Sequence, residues 1–516
     1  MAPRASHRAG RVPAAVLTGA ERTAALERLD SVDVLVVGGG ITGAGVALDA
    51  ATRGLSVALI EAHDLAFGTS RWSSKLVHGG LRYLASGRVG VARESAVERH
   101  ILMTRVAPHL IRPLAQVVPL LPSVRHRGLI RAGFLAGDVL RRSAGTRATL
   151  LPRARRVGAT ATVALVPTVC TDGLAGALVA HDGQLVDDAR LVVTVARTAV
   201  SHGAVVLTRV RAHDVTGIGA VLTDTLTGAS RSVAARAVIN ATGVWAGTVD
   251  PSIRLRPSRG THLVLDASTF GNPRGALTVP VPGSIGRFVF ALPQQLRRVI
   301  VGLTDEAAPG PIPDEPAPTD AEIDFLLSTL SAALARPLTR ADVSGAFAGL
   351  RPLIDAGGGN TADLSRRHAV TESPSGVITV VGGKLTTYRR MAQDAVDAAV
   401  RLGGLAAAPC RTQEISLIGA PTHPDSKSTA GLPTSLVSRY GGASRAVLDA
   451  ATVDRPLEPI AEGIDVTRAE IEFAVTHEGA MNVDDVLHRR TRIGLVAADA
   501  ERATPAVTDI MSKRAV

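Results

Sequence analysis

A glycine triplet with the spacing G-x-G-x-x-G, Gly38, Gly40 and Gly43, constrains this chain more than any other feature. It follows a Val-rich apolar run at residues 32–37 and precedes a helical stretch over 44–53 that Gly54 stops. A second apolar run, 55–60, ends at Glu61. The order strand, tight turn, helix, strand defines a βαβ-type unit of an α/β fold with a buried parallel sheet. The first glycine lets the chain turn sharply, the second lets the backbone approach a pyrophosphate, and the third lets helix and strand pack closely. The helix start offers free amide hydrogens and a positive dipole end to phosphate. Glu61 is placed to accept hydrogen bonds from adenosine ribose hydroxyls, and its charge disfavours NADP. The turn itself serves NAD and FAD equally.

Composition narrows the class. Hydrophobic residues at 46% and charged residues at 20% over 516 residues exclude a disordered chain. The length suggests roughly three domains. With only 2 Trp, 3 Tyr and 8 Phe, base-stacking platforms are disfavoured and no nucleic-acid partner is expected. Two distant cysteines, Cys170 and Cys410, without a C-x-x-C exclude zinc ribbons and cysteine-ligated clusters, so no metal is expected. They also fit a reducing, cytoplasmic compartment. No apolar run reaches 18 residues, and residues 1–30 lack the pattern of a signal peptide and read as a disordered tail.

The formal net charge of +11 is concentrated. Residues 123–157 hold nine arginines against one acid, Asp138, and Leu129, Ile130, Phe134, Leu135, Val139 and Leu140 fall near helical spacing. A basic amphipathic helix of this kind suits an anionic membrane surface, and an Arg-rich solvated face is the alternative. Further on, residues 259–305 are strand-rich, five prolines mark a loop at 307–320, and 321–335 reads as a helix. Pro421, Pro424 and Pro433 mark a boundary, beyond which Thr467-x-x-Glu470 is a capping box, Gly479 a helix stop and Asn482 a cap.

Residues 69–83, TSRWSSKLVHGGLRY, crowd hydroxyls, a lysine, a histidine and an arginine as a loop wrapped on a polar ligand would. Together with GGGITGAG (38–45), DGQLVDDARLV (182–192), INATGVWAG (239–247), RGTHLV (259–264), GLTDE (302–306), AGLRPLI (348–354) and VGGKLTTYRRMA (381–392), this segment resembles the FAD-dependent glycerol-3-phosphate dehydrogenases. The resemblance covers about residues 31–500. It implies a discontinuous Rossmann-like FAD-binding domain (31–250 and 345–405, with the basic helical insertion at 123–157). It also implies an antiparallel-sheet substrate domain (251–344), a linker (406–433) and a C-terminal helical cap (434–516). It further implies oxidation of sn-glycerol 3-phosphate to dihydroxyacetone phosphate and transfer of electrons to a membrane quinone. The enzyme would sit peripherally on the inner face of the plasma membrane and is compatible with a homodimer. An oxygen-using oxidase of the same fold and a non-catalytic flavoprotein are the competing readings.

Site roles follow from the same likeness. Gly38, Gly40, Gly43 and Glu61 would hold the ADP half of a non-covalent FAD. Thr42, Ser70, Ser74, Leu76 and His78 would wrap the pyrophosphate and ring. Val210 would lie beside the adenine, and Ala241, Thr242 and Gly243 would form a turn near the dinucleotide. Gly383, Lys384, Leu385 and Thr386 would meet the flavin's pyrimidine edge, with Lys384 also reaching substrate. Arg351 and Arg366 would take the phosphate, Arg82 and Tyr83 would line the substrate end, and His262 is the candidate base. Two departures stand out: Arg367 replaces the family's usual acid, and Val244 replaces a proline.

Overall fold

A computed structural model describes residues 15–80, 83, 87–124, 127–284, 286–355 and 367–514. Two sheets carry the molecule. The first has eight strands, and its centre is parallel: Ile378–Gly382, Ser230–Asn240, Ser31–Val37, Val57–Ile60 and Val205–Leu207 lie side by side. Helices Ile41–Thr52, Asp188–Ser201 and Tyr388–Leu402 cover it, burying Val34, Val36, Leu59, Leu191, Val195 and Val396 in one core. Burial on both faces is why these strands read as continuous apolar runs. His368–Glu372 adds an antiparallel edge, and a hairpin from Val210–Thr216 and Gly219–Asp224 extends from the strand that ends at Asn240.

The second sheet has ten strands and is largely antiparallel. Near one edge, strand Ser258–Asp266 pairs with Arg298–Gly302 on one side and Val343–Arg351 on the other. Helix Asp320–Ser331 packs Leu326, Leu327 and Leu330 against Leu263, Leu265 and Val289. The expected boundaries at 251 and 344 do not describe this sheet. Leu76–Val77, Ile111–Pro119, Arg155–Val157 and Ala177–Leu185, expected in the FAD-binding domain, are strands of the second sheet, as is Val343–Arg351. The basic helix, Arg127–Ser143, belongs to the same layer, with Ile130 and Phe134 resting on Val118, Leu120 and Leu178. Pairing across such sequence distances leaves no local signal, which is why pattern alone misplaced these strands.

The expected tail is also corrected. Gly19–Arg28 is a helix, capped by Thr18, whose hydroxyl accepts from the Glu21 amide. Buried Arg22 locks it in place through Asp224, at 2.6 Å. Residues 1–14 lie outside the described residues.

The chain's last portion packs Thr434–Tyr440, Ser444–Asp449, Arg468–Thr476 and Ala497–Ser512 around a two-stranded ribbon, Pro459–Ala461 with Ile464–Thr467. Thr467 and Glu470 form the capping box, and Asn482 accepts from the Asp485 amide. This unit reaches back to the glycine turn's neighbourhood. Arg489 and Arg490 each hold Asp64 at 2.8 Å, and Arg492 donates to the Arg71 carbonyl at 2.6 Å. Among the described residues, no helix is long and apolar enough to cross a membrane, and no group of three or more His, Cys, Asp or Glu is disposed to hold a metal.

Candidate active site

The glycine turn lies at the carboxyl end of Ser31–Val37. Gly38 takes φ +113°, and a Cβ there would stand 2.6 Å from the Ala241 carbonyl oxygen. At Gly43 a Cβ would lie 1.9 Å from the Gly38 carbonyl oxygen. Helix Ile41–Thr52 begins at Gly40 with no side-chain cap and no acid in its first turn. Ser70 Oγ accepts from the Ile41 amide at 2.9 Å, which brings the 69–78 segment against the helix start. Glu61 accepts from the Gly39 amide at 2.6 Å and the His63 amide at 2.8 Å, and burial pushes its carboxyl above the usual range. Each carboxylate oxygen keeps a further lone pair for a ribose hydroxyl. Asn240 is fully buried and organises the opposing turn: its amide donates to Ala246 O, and its oxygen accepts from the Thr242 amide and hydroxyl.

One cavity of about 790 Å³ runs from this turn into the second sheet. At one end it is lined by Gly38, Gly40, Thr42, Glu61, Val210, Ala241, Thr242 and Gly243. Ser70, Ser74, Leu76, His78, Gly383, Lys384, Leu385 and Thr386 line the rest of it together with Tyr83, His262 and Arg351. Gly43 does not line the cavity; it is the packing contact beneath it. Arg82 and Arg366 lie outside the described residues.

The part that holds His262 and Arg351 is built on strand register. His262 sits opposite Gly302, where a Cβ would come within 2.3 Å of the imidazole. Its Nε2 is 2.8 Å from Ser74 Oγ, and its ring stacks on Phe347 at 4.8 Å. Burial, then the charges of Arg351 and Lys75, lowers its pKa to about 3 from an ordinary 6.5, so the ring is neutral. Behind it, buried Lys75 meets both carboxylate oxygens of Asp188 at 2.9 Å, and Ser73 bonds the same carboxylate. Arg351 donates to Ser258 Oγ at 3.1 Å and to the Thr304 carbonyl at 3.0 Å. Lys384 Nζ bonds Ser95 Oγ at 2.5 Å and lies 4.0 Å from the Tyr83 ring centre.

The neutral imidazole has a consequence for stability. As pH falls below about 6.5 the unfolded chain takes up a proton at residue 262 while the folded state declines it until about pH 3. The folded state therefore loses up to about 1.4 kcal/mol per pH unit across that window. Urea melts between pH 7.5 and 5 should show a steeper acid loss for the native protein than for His262→Gln. Parallel curves would contradict the buried neutral assignment.

Several cavity residues had no role assigned from the sequence, Asp182 among them although it opens the DGQLVDDARLV segment. Asp182 anchors the 78–80 turn by accepting from the Gly79 amide at 3.0 Å and pairing with Arg99 at 2.6 Å. Gln116, Thr278, Phe288 and Phe290 form a floor from strands far apart in sequence. Leu129, Ile130 and Phe134 of the basic helix also line the cavity. Their spacing was visible, but it pointed to a lipid surface or a solvated face and not to the cavity. GLTDE marked Asp305 as part of a motif without indicating its task.

The glycine cradle, the uncapped helix start and the elongated cavity fit a dinucleotide whose ring faces the second sheet. The chain belongs to the FAD dependent oxidoreductase family, whose sequence model matches residues 33–389. Within that family it falls among the glycerol-3-phosphate dehydrogenases, and FAD is its cofactor. Residues 410–515 match the C-terminal domain of alpha-glycerophosphate oxidase. Glycerol-3-phosphate dehydrogenase 1 of Mycobacterium tuberculosis is 62% identical over 510 residues, covering 97% of this chain and 99% of the relative. A glycerol-3-phosphate dehydrogenase of Mycobacterium leprae is 38% identical, covering 94% and 85%. The crystal structure of the glycerol-3-phosphate dehydrogenase from Bacillus halodurans, complexed with FAD, superposes with a TM-score of 0.73 at 28% identity, covering 96% of this chain and 92% of that one.

Proposed function

We propose that this enzyme oxidises sn-glycerol 3-phosphate to dihydroxyacetone phosphate and delivers the electrons to a membrane quinone. The observation that carries this reading is one cavity lined both by the glycine cradle and by Arg351, Lys384 and His262. FAD, when bound, supplies the acceptor for the hydride leaving C2. Gly38, Gly40, Thr42 and Glu61 would hold its ADP half, and the 383–386 turn its ring edge. Arg351, which lines the cavity, takes the phosphate. Tyr83 and Lys384 confine the substrate, with Arg82 and Arg366 assigned beside them by resemblance. Neutral His262 receives the C2 hydroxyl proton on Nε2 by way of Ser74: the Ser74 hydroxyl, bonded to that nitrogen's one lone pair, passes its own proton to Nε2 as it accepts the substrate's. The low proton affinity of this imidazole rises when a phosphate dianion enters the same chamber, so proton acceptance is tied to substrate occupancy.

The acceptor route rests on helix Arg127–Ser143. Leu129, Leu135 and Val139 are more than half exposed, arginines flank them, and Leu129, Ile130 and Phe134 of the same helix wall the cavity. A helix of this type lies in a lipid headgroup layer with its apolar residues inserted. The enzyme is thereby a peripheral protein on the inner face of the plasma membrane. Co-sedimentation with anionic vesicles should weaken as salt rises from 0.1 to 1 M, where the screening length drops from about 10 to about 3 Å. Val139→Glu should abolish it with flavin content unchanged. Binding insensitive to both would remove the membrane assignment.

The match of residues 410–515 to an oxidase's C-terminal domain supports a second reading, oxygen as acceptor. Turnover with a short-chain quinone under argon, one dihydroxyacetone phosphate per quinone reduced, is the expected result. Hydrogen peroxide formed in step with substrate loss, and no quinone reduction, would favour the oxidase.

A further inference from the structure

We infer that Asp305 is the positioning residue that fixes Arg351 before substrate arrives and moderates its charge, so that the phosphate end of the product can be released. The inference rests on the reading of Arg351 as the phosphate ligand.

Asp305 lines the cavity, yet its side chain is only 3% exposed. Its Oδ1 accepts from Ser258 Oγ at 2.5 Å and stands 3.4 Å from Arg351 Nη1. Arg351 Nη1 donates to the same Ser258 hydroxyl, so Asp305, Ser258 and Arg351 form a closed triangle. The neighbouring Thr304 carbonyl holds Arg351 Nη2. Gly260 leaves room for the guanidinium: a Cβ there would lie 2.2 Å from Nη2.

The corner that carries Asp305 is itself anchored. Thr304 Oγ1 accepts from the Thr261 amide on strand Ser258–Asp266 and donates to Glu322, both at 2.9 Å. Glu322 is the capping-box acid of helix Asp320–Ser331, so that helix start sets where Thr304 and Asp305 stand. Three elements therefore converge on one guanidinium. A carboxylate beside an arginine reduces the field offered to an incoming dianion, at a site where charge interactions are strong because water is scarce. The same carboxylate keeps the fork in one orientation, which places the substrate's C2 for reaction.

Asp305→Asn preserves shape and the Ser258 bond but removes the charge. Inorganic phosphate, titrated against the flavin-loaded variant and followed by the flavin absorption spectrum, should bind about tenfold more tightly once the Asp305 charge beside Arg351 is gone. KM for glycerol 3-phosphate should fall while kcat falls by a similar factor, because product is held. On an Arg351→Ala background, Asp305→Asn should leave phosphate affinity within twofold of that background. Unchanged or weaker phosphate binding in the single variant, or an effect that survives loss of Arg351, would overturn the inference. If Arg351→Ala itself leaves phosphate binding intact, the phosphate assignment fails instead. Should Asp305→Asn not retain flavin, Ser258→Ala keeps both charges and breaks the triangle. It should lower kcat without any gain in phosphate affinity, and a gain would contradict the proposal.

Discussion

Arg351→Ala should lower kcat/KM for glycerol 3-phosphate by on the order of a hundredfold, about 3 kcal/mol, the size expected for removing one partner of a desolvated charge contact. The side chain is four-fifths buried in a frame of Ser258, Asp305 and the Thr304 carbonyl, so the guanidinium is held in place rather than free to search. Truncation removes the phosphate's partner and the guanidinium that Ser258 and the Thr304 carbonyl hold. Arg351→Lys should recover only a small part, since an ammonium restores charge without the planar fork. Flavin absorbance should be unchanged in both variants, because Arg351 belongs to the second sheet and not to the glycine turn. Steady-state kinetics on flavin-normalised enzyme check this, and wild-type kcat/KM in the alanine variant would refute the role.

Gly43→Ala should abolish tight FAD binding, with affinity reduced by a hundredfold or more and the protein isolated largely colourless. The added Cβ would stand 1.9 Å from the Gly38 carbonyl oxygen, which is backbone and cannot swing aside. Relief requires the helix to lift from the strand, and that movement opens the turn meant for the pyrophosphate. Gly54→Ala is the control. Gly54 also has positive φ, +86°, but a Cβ there meets nothing within 4 Å. It should cost about 1 kcal/mol of stability and leave FAD affinity intact. Fluorescence titration of the apoproteins with FAD separates the two, and equal affinities would show that close packing at Gly43 is dispensable.

These two sites differ in how far sequence could reveal them. The glycine turn was legible because its parts are contiguous: Gly38, Gly40 and Gly43 stand within one short segment, and the flanking apolar runs supply their own strands. Thr467 with Glu470, and Asn482, were legible for the same reason, since caps act within one helical turn. The helix Gly19–Arg28 carried its cap in Thr18 and Glu21, but what holds it is Arg22 meeting Asp224 some two hundred residues later. Likewise Leu76–Val77 pairs with Gly183 and Gln184, and Ile111–Pro119 with Ala177–Leu185, so the second sheet begins far earlier than its strand-rich stretch suggests. His262 and Arg351 could be named from the motifs around them. Their setting could not, because it is made of Ser74, Phe347, Ser258 and Asp305, drawn together only by sheet register.

The ultraviolet–visible spectrum of the purified enzyme, recorded without oxygen before and after addition of glycerol 3-phosphate, tests the central claim most directly. The account predicts a yellow protein whose visible flavin absorption bleaches in proportion to substrate added, up to one equivalent per flavin. A flavin spectrum that persists in excess substrate, or a folded protein that stays colourless when offered FAD, would contradict it.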